Sequence, residues 1–145
     1  MVTQRINQLG LDLIKRFEGC QLKAYYDSGQ LITVGWGHTG KDVFPGLVIT
    51  QAKADALLLG DISMTEQELN NLELGLNNNQ FSALVSFTFN LGIGNLTKST
   101  LLKKIKINPT DVSIRNEFLK WNLCAGKPLS GLTARRAAEA TLYFS

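Results

Sequence analysis

One stretch of the chain, residues 17–40, constrains the fold more than any other, because it joins a predicted helix end to several reactive side chains. Before it, apolar residues recur three or four positions apart, which is the spacing of one buried helix face. These residues are Leu9, Leu13, Ile14 and Phe17. The spacing predicts a helix over residues 4–18, and Gly19, which follows Glu18, is placed to end it.

Two short runs that favour β-structure follow this helix. Residues 22–26 and 31–35 are rich in aromatic and β-branched side chains, and residues 27–30 (DSGQ) between them have the composition of a turn. The pattern predicts a small hairpin, with Thr33 on its second strand and His38, the only histidine, just beyond it.

Glu18 and Asp27 form a candidate acid–base pair. The apolar helix face and aromatic neighbours of Glu18 favour its protonated form, whereas Asp27 on a polar turn is expected to stay ionised. Such a pair can cleave a glycosidic bond through an oxocarbenium-like transition state, and Thr33 could hold a water against Asp27. Alternatively, Glu18 is an ordinary helix-terminal charge, Asp27 a turn former and Thr33 a strand residue. Spacing alone favours that alternative, because such pairs are common.

The order of these residues matches a known pattern. Eight residues separate Glu18 from Asp27, five separate Asp27 from Thr33, and GWGHT follows at residues 35–39. Further matching runs are ALVSFTFNLG at 83–92, STLLK at 99–103 and GLTARRAAEATL at 131–142. In these features the chain resembles the phage-type lysozymes, the muralytic endolysins. The resemblance implies Glu18 as general acid, Asp27 as the carboxylate that activates or replaces the attacking water, and Thr33 as the residue that positions it.

The resemblance also implies a fold and a reaction. The expected fold is a single α+β, lysozyme-like domain over residues 1–145, mostly helical, with two lobes flanking a cleft. The small β-hairpin lobe is expected at about 19–60, and the larger helical lobe at about 78–145 plus the N-terminal helix. The expected reaction is hydrolysis of the β-1,4 bond between N-acetylmuramic acid and N-acetylglucosamine in bacterial peptidoglycan, for host cell lysis. No metal or organic cofactor is implied.

Four further residues are expected to support the site. The resemblance implies an ion pair between His38 and Asp61, with a structural role for the histidine. It also implies that an arginine of the last helix, Arg135 or Arg136, approaches Glu18. Because adjacent helical residues point about 100° apart, these two arginines are expected not to share one role.

The resemblance also suggests roles for individual residues outside the catalytic motif. The resemblance implies substrate contacts at Thr39, Phe89 and Thr100. Asn90 lies in an apolar run and needs a hydrogen-bond partner, for which the resemblance suggests the indole of Trp121.

The composition limits the classes of molecule that the protein is expected to bind. Fifteen basic and twelve acidic residues give a net charge of +3, too little for a dedicated polyanion binder but enough to bias encounters with an anionic bacterial wall. No nucleic-acid-binding motif is present, so no nucleic-acid partner is expected. Cys20 and Cys124 lack metal-ligand spacing, and two thiols are favoured over one disulfide. A cysteine nucleophile with His38 as its base is disfavoured.

The N-terminal sequence, MVTQRINQLG, lacks the apolar core of a signal peptide. The expected location is therefore the host bacterial cytoplasm, with release to the periplasm and cell wall at lysis. Such release needs a separate holin-like membrane permeabiliser. A monomer is expected. Two alternative functions remain open: a non-catalytic wall-binding or membrane-perturbing protein that acts through its basic helices, and a lytic transglycosylase.

The rest of the chain predicts further helices separated by Asn- and Gly-rich breaks. The expected segments are a helix capped by Thr50 and closed by Asp61, a connecting helix at 62–76, a nearly all-apolar central helix at 80–91, a basic amphipathic segment at 97–107, a helix within 112–121, a loop at 126–131 and a last helix at 132–143.

Overall fold

A computed structural model describes residues 3–145, which are mostly helical with two small antiparallel sheets. In chain order the elements are α1 (Gln8–Glu18), β1 (Gln21–Tyr26), β2 (Ile32–Gly35), α2 (Gln51–Asn70), α3 (Asn78–Leu91), α4 (Ile93–Thr97), α5 (Thr100–Ile107), α6 (Ile114–Leu119), β3 (Leu123–Cys124), β4 (Lys127–Pro128) and α7 (Ser130–Tyr143). The chain forms two compact units, Lys15–Met64 and Thr65–Ser145 with the N-terminal segment up to Ile14. The predicted α+β class, mostly helical with a small hairpin, is confirmed.

Helix α1 ends where the sequence predicts, but it begins later. Gly19 adopts φ +68°, and its N–H donates to the Lys15 carbonyl at 3.1 Å, which closes the helix directly after Glu18. At the other end, the Asn7 side chain accepts a 3.0 Å hydrogen bond from the Gly10 N–H. This cap starts the helix at residue 8 and leaves residues 4–7 outside it.

Strands β1 and β2 form the predicted hairpin. Tyr25 pairs with Thr33 and Tyr26 with Ile32, and the register shifts between Gln21 and Tyr25. Because directly opposed residues of an antiparallel pair point to the same face, Tyr25 and Thr33 lie on one face of the hairpin. The turn that contains Asp27 joins the strands.

Helix α3 is the central helix of its unit, as its apolar sequence predicts. Residues 80–88 are all buried. The helix begins with a capping box in which the side chain of Asn77 accepts from the Gln80 N–H and the side chain of Gln80 accepts from the Asn77 N–H. Phe87 lies edge-on to both Phe118 and Trp121, with ring centroids 5.7 Å apart in each pair.

Helix α2 differs from the prediction of two segments. It runs without a break from Gln51 to Asn70, so Asp61 lies inside it and does not close it. Thr50 caps its first turn by accepting from the Lys53 N–H at 3.1 Å. Past Asn70 the chain turns, and Glu73 adopts φ +51°. The leucines at 72–76 that suggested a longer helix therefore belong to a non-helical connection.

The basic segment at 97–107 is shorter than predicted as a helix. Ser99 caps α5 by accepting from the Leu102 N–H at 3.0 Å, so the helix starts at Thr100. Leu101, Leu102 and Ile105 are buried, which fits an ordinary core-facing helix. Within residues 3–145, no helix combines the length and apolarity needed to cross a membrane.

A second hairpin was not predicted. Strands β3 and β4 pair across Ala125 and Gly126, which adopt φ +52° and φ +81°. Two successive positive φ values are typical of the tight turns that join twisted strands. The sequence gives a weak signal here, because alanine rarely occupies the first of these turn positions.

Candidate active site

Glu18 is half-buried at the C-terminal end of α1, and the backbone beyond β2 approaches its carboxyl closely. A Cβ built on Gly37, at φ +88°, would lie 2.8 Å from Oε1 of Glu18. Carbon and oxygen atoms do not pack that closely, so a Cβ at this position would force the end of the Glu18 side chain to shift. Gly37 therefore leaves room for the Glu18 carboxyl where it now lies.

This close approach predicts a defect when Gly37 is replaced by alanine. The new methyl group would displace the Glu18 carboxyl, and we expect glycan cleavage to fall by about 10²-fold, the typical loss for a misplacement of about 1 Å. Positive φ would also cost roughly 1–2 kcal/mol of unfolding free energy. The measurements are the cleavage rate on purified peptidoglycan and a denaturant unfolding curve.

Gly46 supplies a matched control for that variant. Its φ is also +88°, but nothing lies within 4 Å of a Cβ built on it. Gly46→Ala should lose similar stability and keep its cleavage rate. Equal activity of the two alanine variants would mean that Gly37 does not position Glu18.

Trp36 anchors the segment that carries Gly37. Its indole N–H donates to Oδ1 of Asp55 on α2 at 2.8 Å, and the same oxygen accepts from Gln51 at 3.1 Å. The hydrogen bond from Trp36, followed by that from Gln51, lowers the pKa of Asp55 and so keeps the acceptor ionised. The Lys15 ammonium lies 5.2 Å from the Trp36 ring centroid. Sequence analysis missed Asp55, because nothing local marks it.

Asp27 is held by backbone groups of its own turn. Oδ1 accepts from the Gly29 N–H at 2.8 Å and from the Leu31 N–H at 2.9 Å. Its backbone N–H also donates to the Leu31 carbonyl at 3.0 Å. These bonds fix the orientation of the carboxylate. Among residues 3–145, no hydrogen-bond partner of Oδ2 is found, so that oxygen can accept from a ligand or a water.

Thr33 is 3% exposed. Its hydroxyl donates inward to the Leu31 carbonyl at 3.0 Å, which orients the side chain. Because the hydroxyl proton is committed, Oγ1 can serve an incoming molecule only as an acceptor. Its burial restricts that role to a small ligand such as a water.

Tyr25 lies opposite Thr33 in the hairpin and two residues before Asp27, although sequence analysis did not single it out. Burial raises the pKa of Tyr25, and the negative charges of Glu18 and Asp27 raise it further. The end of α1, which carries Glu18, and the hairpin turn, which carries Asp27, both belong to the unit Lys15–Met64.

His38 is held by two carboxylates. Nδ1 lies 2.8 Å from Oδ2 of Asp61, as predicted, and Nε2 lies 3.0 Å from Oδ2 of Asp42. Burial lowers the pKa of His38, but the hydrogen bonds to Asp61 and Asp42 outweigh it and leave the pKa raised. The histidine thus fixes the segment that follows β2.

The raised pKa predicts how stability depends on pH. A histidine whose folded pKa lies above its unfolded value of about 6.5 stabilises the fold fully below that value. The stabilisation is lost as pH rises through the folded pKa. Asp61→Asn should lower the His38 pKa and remove roughly 1 kcal/mol of unfolding free energy at low pH, with a shrinking difference at high pH. NMR titration of the single histidine and unfolding curves at several pH values measure both.

Asp42→Asn provides the comparison, because Asp42 is 61% exposed and Asp61 only 31%. Solvent screening should make the Asp42 effect the smaller one. A His38 pKa near 6.5 in the parent protein would contradict the account of this pair.

Arg135 and Arg136 are both buried in α7, and both contact Glu139, whereas the approach of one of them to Glu18 stays a prediction. Nε of Arg135 lies 3.3 Å from Oε2 of Glu139, and Nε of Arg136 lies 2.7 Å from Oε1. Glu139 follows Arg136 by three positions and Arg135 by four, so all three side chains lie on the same side of the helix. Ser86 donates to the same carboxylate at 2.6 Å.

The other predicted residues belong to three different segments of the chain. Thr39 is exposed after His38, Phe89 is half-buried on α3, and Thr100 is exposed at the first position of α5. Asn90 accepts a 2.8 Å hydrogen bond from Arg136. The predicted bond from Trp121 is therefore wrong, since Arg136 takes the place expected for the indole.

The two cysteines do not form a disulfide. Cys20 is half-buried and Cys124 exposed, and both are free thiols, as expected. Within the part of the chain that the structure describes, no group of three or more His, Cys, Asp or Glu side chains is arranged to hold a metal ion.

The chain combines seven helices with a small hairpin, within residues 3–145, and comparisons place it among proteins of the lysozyme fold. The endolysin from Escherichia coli O157:H7 phage FAHEc1 has a TM-score of 0.87 at 34% identity, over 98% of this chain and 94% of that one. The muramidase domain of SpmX from Asticaccaulis excentricus has a TM-score of 0.86 at 34% identity, over 98% and 99%. Residues 15–139 match the sequence model of phage lysozyme. The chain belongs to the phage lysozyme family.

The endolysin of Bacillus phage B103 is 41% identical over 143 residues, which are 97% of this chain and 54% of that protein. The chain thus spans about half the length of this relative.

Proposed function

We propose that this protein is an endolysin that hydrolyses the β-1,4 bond between N-acetylmuramic acid and N-acetylglucosamine in bacterial peptidoglycan. One observation carries the proposal: Gly37, just beyond β2, leaves room for the Glu18 carboxyl at the end of α1, and the β1–β2 hairpin holds Asp27 in its turn and Thr33 on β2, so the three predicted residues belong to one compact unit. The names of the related proteins, endolysin and muramidase, agree with it.

Glu18 would be the general acid. Its carboxyl, for which Gly37 leaves room, would protonate the glycosidic oxygen as the bond to C1 of muramic acid breaks. The positive charge that develops on the sugar ring would be stabilised by the ionised Asp27, whose orientation the backbone N–H groups of its turn maintain.

The attacking water would lie between Asp27 and Thr33. Both offer acceptors, Oδ2 of the carboxylate and Oγ1 of the hydroxyl, so both hydrogens of the water would be engaged. A lone pair of the water would then face C1, and Asp27 would take one proton as the new bond forms. A water in this position implies inversion at the anomeric carbon, for which the carboxyls stand about 6.5–9.5 Å apart.

Further contacts and partners belong to the same proposal. Thr39, Phe89 and Thr100 would bind the glycan, and His38, Asp61, Arg135 and Arg136 would support the site. The protein would act as a monomer on the cell wall at lysis, from the host bacterial cytoplasm, with a holin-like permeabiliser providing access. No nucleic acid takes part.

Product analysis tests the reaction type. Purified peptidoglycan is digested, reduced with borohydride and separated by liquid chromatography with mass detection. New N-acetylmuramitol ends are expected. Anhydro-muramoyl ends would instead identify a lytic transglycosylase. Bacterial killing without new sugar ends would indicate a binding or membrane-perturbing protein and defeat the enzymatic assignment.

A further inference from the structure

Tyr25 lies on the strand pair that carries Thr33, although neither the motif nor the mechanism includes it. It is directly opposite Thr33 in the β1–β2 pair, on the same face of the hairpin, and two residues before Asp27. The residue is 37% exposed. An aromatic side chain on a two-stranded hairpin is therefore available to a ligand that reaches Asp27.

The phenol of Tyr25 is a proton donor under ordinary conditions. Burial raises its pKa, and the charges of Glu18 and Asp27 raise it further, so the hydroxyl stays protonated near neutral pH. Among residues 3–145, no hydrogen-bond partner of this hydroxyl is found. A neutral donor on the strand that leads to Asp27 thus has capacity to bind an oxygen of a bound molecule.

We propose that Tyr25 is a substrate-contact residue, whose hydroxyl donates a hydrogen bond to an oxygen of the saccharide bound beside Glu18 and Asp27 while its ring packs on the apolar face of the sugar. This inference rests on the proposed function. A saccharide suits the position, because its ring offers both C–H groups for an aromatic face and hydroxyl or acetamido oxygens for the phenol.

The contact is made to the bound sugar before the bond breaks, so its loss should appear mainly in KM. An interaction present equally in the ground state and the transition state changes KM and leaves kcat unchanged. A single neutral hydrogen bond predicts a rise in KM of about threefold to tenfold in Tyr25→Phe. Tyr25→Leu also removes the aromatic ring and should raise KM further.

Tyr26→Phe is the matched control. Tyr26 is the next residue, pairs with Ile32, and is 59% exposed on the other face of the hairpin. It should keep the parent KM and the parent melting temperature. The substrate is a solubilised preparation of peptidoglycan glycan strands, with kcat and KM measured separately for each protein.

A second measurement, by NMR, leaves the Tyr25 side chain in place. In protein labelled with ¹³Cζ-tyrosine, the Tyr25 pKa should fall in Asp27→Asn, because a neighbouring negative charge is removed. The Tyr25 resonance should also shift when a tetrasaccharide of alternating N-acetylglucosamine and N-acetylmuramic acid binds to the Glu18→Gln variant. The Tyr26 resonance should not.

Two results would overturn the inference. One is an unchanged KM in Tyr25→Phe together with normal cleavage by the parent protein. The other is a Tyr25 pKa that is unchanged in Asp27→Asn together with a Tyr25 resonance that does not shift when the tetrasaccharide binds. Failure of the parent protein to release any sugar ends would instead defeat the proposed function, so the two failures are distinguishable.

Discussion

Glu18→Gln is expected to lower the rate of peptidoglycan cleavage on the order of 10³-fold, within the range that a general acid contributes. Glutamine has nearly the same shape as glutamate but carries no acidic proton for the leaving oxygen. The packing against Gly37 should survive, so the fold should be preserved and the loss should appear in kcat. The measurement is release of reducing sugar ends from purified peptidoglycan, with circular dichroism to verify folding.

Glu73→Gln makes the same chemical change at an exposed position of the connection after α2. This control should cleave at the parent rate. If Glu18→Gln also cleaves normally, Glu18 is not the acid and the proposed mechanism fails. If both variants lose activity and unfold, the loss in Glu18→Gln reflects unfolding and not proton transfer. The comparison is then made with Glu18→Asp, which keeps a carboxylic acid at this position.

Glu139→Ala should cause the largest loss of stability in the chain. Glu139 is fully buried and contacts two buried guanidinium groups, those of Arg135 and Arg136, as well as the Ser86 hydroxyl. Removing the carboxylate would leave two buried positive charges without their shared counter-ion. Breaking a buried ion pair in this way costs about 3–5 kcal/mol. For a chain of this size the melting temperature should fall by about 10 °C or more.

Glu117→Ala is the matched comparison. Glu117 also binds two cations, Lys104 and Lys120, at 3.0 Å each, but these side chains are 30% and 66% exposed. Their ammonium groups can turn to water when the carboxylate is removed, so the expected cost is roughly 1 kcal/mol. Similar melting temperatures for the two variants would show that the buried cluster around Glu139 does not stabilise the fold as described.

The parts of the fold that follow from the sequence are those determined by nearby residues. The end of α1 is set by Gly19, the hairpin by two short β-forming runs around a DSGQ turn, and the burial of α3 by its apolar sequence. Glu18, Asp27 and Thr33 lie within one such stretch, so their elements could be assigned without tertiary information.

The features that the sequence did not reveal depend on contacts between distant segments or on weak turn signals. The backbone at Gly37 approaches Glu18 closely, and nothing in the local sequence predicts this contact. Asp55 accepts a hydrogen bond from Trp36 although the two residues belong to different elements. The end of α2 was misplaced because the leucines beyond Asn70 continue an apolar pattern without helical geometry. The spacing of Glu139 from the two arginines was visible, and it would have indicated their shared partner.

The central claim, that Glu18 and Asp27 act on one glycosidic bond, is tested most directly by a crystal structure of Glu18→Gln with an uncleaved tetrasaccharide of alternating N-acetylglucosamine and N-acetylmuramic acid. The account predicts the scissile oxygen within hydrogen-bonding distance of the side chain at position 18. It also predicts a water that contacts both Asp27 and Thr33 on the other face of the sugar. A saccharide bound with neither carboxyl position near its glycosidic oxygen would contradict the claim.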